Sequence, residues 1–451
     1  MSRSAKVVVV LCAACSSPSA TLVVTTGGED SSSVFAASPA VATIELDLAD
    51  QAGDAPTVLF SAPFASSTTL DLGQVSQESV GSIQFDGRDS SGDVVVFGAL
   101  PYAEVGALDG QIPIMVQRRG SFARWPTSLP DGRRAPFLAI TNTALYVAGG
   151  TIDGASGAPP LVEYDLLNLV VANTASAPQA ATSFALIQFA QETYDGDYAA
   201  AFFLDDTGET LLGLNTLSAY PVFDQVGSQS AIPWPDYAGG QTVLGEDDSA
   251  YVVAASRTSS PSSSVFVLLP NPDANGNPAA NTGSTSTRQG AAVAWAPSRG
   301  VFLYGGNVDS HTSGVEILSS TLSITQLDFP ADTTQGLAAI ALDDKSMLIA
   351  GDGNAPRAVD LTCGQNCVPT TWGVPTGPAL TSPSLWSIGD GAFLLVGDDP
   401  SGDTQVIRID TTSATPVPLK IARQGARATQ TLWGTVLIVG GGSDVIESYV
   451  P

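Results

Sequence analysis

The sequence predicts an all-β chain in two parts, a small N-terminal β-sandwich over 21–118 and a seven-bladed β-propeller over 120–451. Three observations carry this. Apolar and polar residues alternate in short runs through the first part, and a strand unit recurs about every 50 residues through the second. The 451 residues are also punctuated by 45 glycines and 30 prolines. Apolar residues make up 44%, enough for a core and too many for disorder.

Residues 1–15 read as an export address. Arg3 and Lys6 make a positive start, and Val7 to Ala14 is an unbroken apolar stretch. That stretch is too short to span a bilayer and suits a secretory signal. It runs into Leu11-Cys12-Ala13-Ala14-Cys15-Ser16, where two small residues before a cysteine resemble the lipobox of bacterial lipoproteins. The resemblance implies a diacylated Cys15 at the mature N-terminus, and a protein lipid-anchored in the bacterial cell envelope. Cys12 departs from the motif, which prefers Leu there. Ser16 is similar to the outer-membrane sorting pattern of enteric bacteria. An ordinary secretory signal with an incidental cysteine is the alternative. No later stretch approaches eighteen apolar residues, so lipid is the expected membrane attachment.

Over 21–118, Ile44, Leu46 and Leu48, then Leu70 and Leu72, then Ile83 and Phe85, then Ile112, Ile114 and Val116 keep a period of two. Turn-rich breaks at 27–33 and 89–93 separate them. About seven short strands in about a hundred residues resemble an immunoglobulin-like or fibronectin-type sandwich. The absence of an internal cysteine pair excludes a true antibody-type domain.

The second part repeats. Tyr146-Val147-Ala148-Gly149-Gly150, Phe302-Leu303-Tyr304-Gly305-Gly306, Leu348-Ile349-Ala350-Gly351-Asp352, Leu394-Leu395-Val396-Gly397-Asp398 and Leu437-Ile438-Val439-Gly440-Gly441 are copies of one unit, with weaker copies ending at 206 and 255. Short strands such as Val315-Glu316-Ile317-Leu318 follow several copies. Arg288-Gln289-Gly290-Ala291 and Arg423-Gln424-Gly425-Ala426 precede two. This period with four short strands per unit predicts a propeller. The Gly-Gly, the following Glu163-Tyr164-Asp165 and the Arg-Gln-Gly-Ala start resemble kelch repeats over about 330 residues. The last unit runs out after three strands, so Ser121 to Pro126 is the expected fourth, closing the ring from both ends of the domain.

Cys363 and Cys367, the only cysteines beyond the address, read as a small-loop disulfide in an oxidising compartment. Zinc would need two further ligands. A net charge of −27 argues against nucleic acid. The single histidine, His311, removes any galactose-oxidase-type copper site, which needs two imidazoles. Asp206 to Thr210 matches part of a sialidase Asp-box, but one partial copy reads as a hairpin turn. No nucleophile elbow or phosphate loop appears, so no catalytic residue and no metal site are assigned.

One face gathers charge. Second-strand ends carry Asp153, Asp309, Asp352 and Asp398, and first-strand starts on that face carry Arg288 and Arg423. These are the candidate ligand-binding residues, for a cation, a sugar or a basic partner, with calcium the ion such a mouth would suit. Turn chemistry plus structural Asp–Arg pairs explains the same residues without a ligand. The expected function is a lipid-anchored, extracytoplasmic binding or scaffold protein engaging a protein or glycan. The alternative is a propeller hydrolase or lyase acting on polysaccharide through paired carboxylates.

Overall fold

The alternating runs form strands in the computed structural model, which describes residues 7–10, 21–50, 56–65, 79–105, 108, 111–176, 184–188, 199–203, 212–215, 222–225, 240–246, 249–253, 265–272, 278–283, 285–286, 288–306 and 313–451. The fold is all-β and built of many small sheets.

Two sheets make up the N-terminal unit. One runs Thr57–Pro63, Thr43–Ala49, Val80–Arg88, Val94–Ala99 and Gln117–Arg118, with Ala103–Glu104 beside Val80–Arg88. The other runs Val7–Val10, Thr21–Thr25 and Gln111–Met115, its last pair parallel. Ile44, Leu46, Ile83 and Phe85 from the first sheet share one core with Leu22, Val24, Ile112 and Ile114 from the second. A five-residue helix, Ser31–Phe35, stands where the sequence predicts only a turn. The Asp30 side chain caps it by accepting the Ser32 N–H at 2.9 Å, and Val34 and Phe35 insert into the same core. Two buried side chains hold a helix too short to show a period of its own. The strand expected at Leu70 and Leu72 lies outside the described residues.

After residue 120, antiparallel sheets follow one another along the chain. Phe137–Ile140, Ala144–Ala148, Leu161–Asp165 and Val170–Ala175 make the first. The pairs Phe184–Gln188 with Ala199–Phe203 and Leu212–Asn215 with Val222–Gln225 come next. Four-stranded sheets then begin at Gln241–Leu244, Ala292–Ala296, Ala338–Ala341 and Thr381–Ser387. A further four-stranded sheet runs Ala426–Gln430, Val436–Gly440 and Glu447–Val450, with Ser121–Arg124 antiparallel to Glu447–Val450 as its outer edge. Phe137–Ile140, Phe184–Gln188, Gln241–Leu244, Ala292–Ala296, Ala338–Ala341, Thr381–Ser387 and Ala426–Gln430 touch one another in that order, and Ala426–Gln430 touches Phe137–Ile140.

Second strands are the most apolar because neighbouring sheets cover both of their faces. Gly300–Tyr304, Ala144–Ala148 and Val436–Gly440 are buried throughout. The core is a series of layers between sheets: Leu394, Val396 and Val406 pack on Ile438, Tyr449 and Phe122, while Leu437 and Val439 pack on Leu145 and Val147.

The strand-end glycines set how closely these sheets approach. Gly440 has φ +77°, and a Cβ there would lie 2.5 Å from the Arg133 carbonyl oxygen of the adjoining sheet. Gly434, in a hairpin at φ +87°, has open space around it. Gly434→Ala is therefore expected to cost about 1 kcal/mol, for the left-handed backbone alone. Gly440→Ala adds a backbone clash and is expected to cost about 2–4 kcal/mol. Urea unfolding of both variants checks the difference.

Candidate functional site at the strand ends

Paired left-handed glycines at the end of a second strand turn their carbonyls out of the sheet ladder. A buried carbonyl in that position needs a donor from elsewhere. Arginine supplies it. Arg288 donates from Nη1 to the Gly305 oxygen at 3.1 Å and to the Gly314 oxygen at 3.3 Å. Arg423 donates from Nη1 to the Gly440 oxygen at 2.7 Å and from Nη2 to the Val445 oxygen at 2.6 Å. Arg133 reaches the Gly149 oxygen at 3.3 Å. All three guanidiniums are buried.

Burying a guanidinium calls for a carboxylate, and the third strand provides one. Arg288 Nε donates to Glu316 at 2.9 Å, and Arg423 Nη2 donates to Glu447 at 3.0 Å. Glu316 also accepts from the Ser286 hydroxyl and from Gln326, while Glu447 accepts the backbone N–H groups of Lys420 and Ile421. In the first sheet Val162 stands where these glutamates would be, and Arg133 instead donates a two-pronged bond to Asp131. Burial works to raise the Glu316 carboxyl, but the Arg288 charge and the hydrogen bonds from Arg288, Ser286 and Gln326 outweigh it, and the net shift is downward.

The candidate carboxylates sit outside these clamps. Asp153 forms an exposed bidentate pair with Arg134, whose Nη1 donates to Gln424 at 2.8 Å; Gln424 in turn donates to Asp403 at 3.0 Å. One polar chain thus crosses from the first sheet through the last to the one before it. Asp398 accepts from Thr404 Oγ1 at 2.7 Å, from the Gly425 N–H at 3.0 Å and from Arg427 at 3.1 Å. Asp352 accepts from the Asn354 N–H at 3.2 Å and from Arg357 at 3.0 Å. Arg357 also lies 5.8 Å over the Tyr304 ring, and the Tyr304 hydroxyl donates to Asp332. Burial and that acceptor push the Tyr304 hydroxyl up.

So Asp153 and Asp352 are rim residues, Asp398 is buried at 7% exposure, and Arg288 and Arg423 are buried anchors. Asp309, Asp206, His311 and Cys15 fall outside the described residues. Cys363 and Cys367 are joined, with Cα atoms 5.9 Å apart. Glu316 and Glu447 were missed because each looks like one polar member of an alternating strand. The concave space, about 460 Å³, is not on this rim: Arg119, Arg408, Pro416, Pro418, Tyr449 and Pro451 line it, at the outer edge of the last two sheets.

The clamp and the rim are expected to differ in energy. Glu316→Ala leaves Arg288 charged and buried without its partner and is expected to cost about 3–5 kcal/mol. Arg134→Gln removes an exposed pair, screened by water and salt, and is expected to leave the unfolding midpoint close to wild type. Because the folded Glu316 pKa lies below its ordinary 4.5, its stabilisation is complete above that pH and is lost as pH falls through the folded value. Denaturant titrations of both variants at pH 7, with wild type from pH 7 to pH 3, check all three points.

No family model and no curated protein matches the chain. Among solved structures it is similar to selenomethionine-substituted virginiamycin B lyase from Staphylococcus aureus, at 11% identity and a TM-score of 0.47, over 73% of this chain and 98% of that one.

Proposed function

We propose that the chain is a lipid-anchored, extracytoplasmic binding or scaffold protein. In this reading a seven-bladed, kelch-like propeller over 120–451 presents its strand-end rim to a protein or glycan partner. The two short hairpin sheets over 184–225 count together as one blade, and the ring of first-strand contacts supports the total of seven. An immunoglobulin-like or fibronectin-type sandwich over 21–118 then stands between the rim-bearing domain and the lipid on Cys15, placed in the outer membrane; Val7–Val10, which pairs with Thr21–Thr25 in the full chain, leaves with the cleaved signal.

One observation carries binding over catalysis. Every described candidate carboxylate is already held by a guanidinium or by donors of its own turn or a neighbouring strand. A general acid needs a carboxyl poised to release a proton, and a glycosidase needs two at a set separation. Asp352 and Asp398 are instead fixed acceptors, which suits a pre-organised polar contact surface better than a hydrolase or a calcium cage.

Two measurements test this. Wild type is expected in detergent-extractable membrane fractions, and Cys15→Ser is expected to lose that partitioning; unmodified wild type in the soluble fraction would remove the anchor from the proposal. Detergent-purified protein on glycan arrays and immobilised envelope proteins is expected to show binding that weakens about tenfold in an Arg134→Gln, Arg427→Gln double variant. Release of sugar fragments from a polysaccharide, abolished by Asp352→Asn, would establish the hydrolase or lyase alternative instead.

A further inference from the structure

The N-terminal unit carries a polar cluster unlike the rim. Thr43–Ala49 and Val80–Arg88 pair antiparallel with Glu45 directly opposite Asp86. Asp47 and Arg88 each lie two residues along, and the pleat puts all four on one face. Leu46 and Phe85 point the other way, into the core. One oxygen from each of Glu45, Asp47 and Asp86 lies within 4.8 Å of the other two.

Arg88 offsets only part of this charge. Its Nη2 donates to Glu45 Oε1 at 2.7 Å and to Asp86 Oδ2 at 2.9 Å. Neither bond reaches Asp47. Asp47 is 5% exposed, and its buried Oδ1 has no hydrogen-bond partner among the described residues. A buried carboxylate oxygen without a donor is costly, and native structures normally supply one. Glu45 and Asp86 add like charge beside it, and Arg88 opposes them. The strand on its other side, Thr57–Pro63, brings no charged side chain.

We propose that Glu45, Asp47 and Asp86 hold a hard divalent cation of the calcium or magnesium class. Three carboxylates and one guanidinium sum to a charge of −2, which a divalent ion neutralises. All donors are oxygens, which select such ions and manganese over zinc or copper. The cation supplies Asp47 Oδ1 with the positive partner that Arg88 does not. Arg88 holds one oxygen each of Glu45 and Asp86, while Glu45 Oε2 and Asp86 Oδ1 take no hydrogen bond from the described residues. Three protein ligands leave the remaining positions to water, as these ions commonly accept.

The test uses the full chain, stripped with EDTA and melted at pH 7.5 with and without 5 mM calcium, magnesium or manganese. At least one ion is expected to raise the melting temperature by about 3 °C or more. Asp47→Asn removes the unpartnered charge, so it is expected to raise the melting temperature of the stripped protein and abolish the response. Glu45→Gln is expected to weaken the response in a protein that still folds. An Asp352→Asn, Asp398→Asn variant is expected to keep it, which separates this site from those carboxylates whatever they bind. No ion effect on wild type overturns the proposal, as does a response that survives in Asp47→Asn.

Discussion

The buried arginine at the strand-end glycines is the interaction on which the second part of the chain depends. Successive sheets approach closely only because glycine replaces side chains with backbone there, and the left-handed turn that permits this strips carbonyls of their ladder partners. The Gly441 N–H donates to the Arg133 carbonyl, and the Gly306 N–H to the Thr334 carbonyl, so the same turns stitch each sheet to the next. An apolar residue at position 288 or 423 would leave buried carbonyls unpaired, at a cost of about 1–3 kcal/mol for each group. Lysine would deliver a point charge without the planar fork that reaches two carbonyls and a carboxylate together. The clamp thus links the Arg-Gln-Gly-Ala start, the Gly-Gly end and the third-strand glutamate into one physical unit.

That linkage explains what was legible. The apolar strand ending in Gly-Gly is plain in the sequence because burial on both faces forbids polar residues and close approach forbids a Cβ. Arg288 and Arg423 stood out by their shared motif, but their destination did not. A strand that starts with arginine looks like a solvent-facing mouth, and only the paired glycine carbonyls show why it turns inward. Glu316 and Glu447 carry a usable signal: each is the acidic residue of a buried third strand in those units that begin with Arg-Gln-Gly-Ala. The rim aspartates were read by face alone. Asp352 and Asp399 each accept a backbone N–H two residues on, as turn-forming aspartates commonly do, and this competes with any convergence on a shared ion.

The N-terminal unit shows the opposite failure. Glu45 and Asp47 alternate with Ile44, Leu46 and Leu48, and alternation normally marks a solvated face. Asp47 is nonetheless buried. Period-two patterning tells which residues share a side and not whether that side is wet. Register adds what the pattern lacks, placing Asp86, 41 residues along the chain, opposite Glu45.

Arginine use also shapes what the outside presents. All twelve arginines among the described residues donate hydrogen bonds within the protein itself, to glycine carbonyls, carboxylates, turns or the Pro451 carbonyl. Their charge is therefore largely answered internally, while the net charge of −27 rests on carboxylates in excess of them. A partner approaching within the Debye length, about 8 Å at physiological salt, meets a field set mainly by aspartate. Such a field repels anionic polymers, and association with any cationic surface would slow as salt rises. Arg133, Arg288 and Arg423, spent on strand-end carbonyls and buried there, add no positive charge to the surface that such a partner meets.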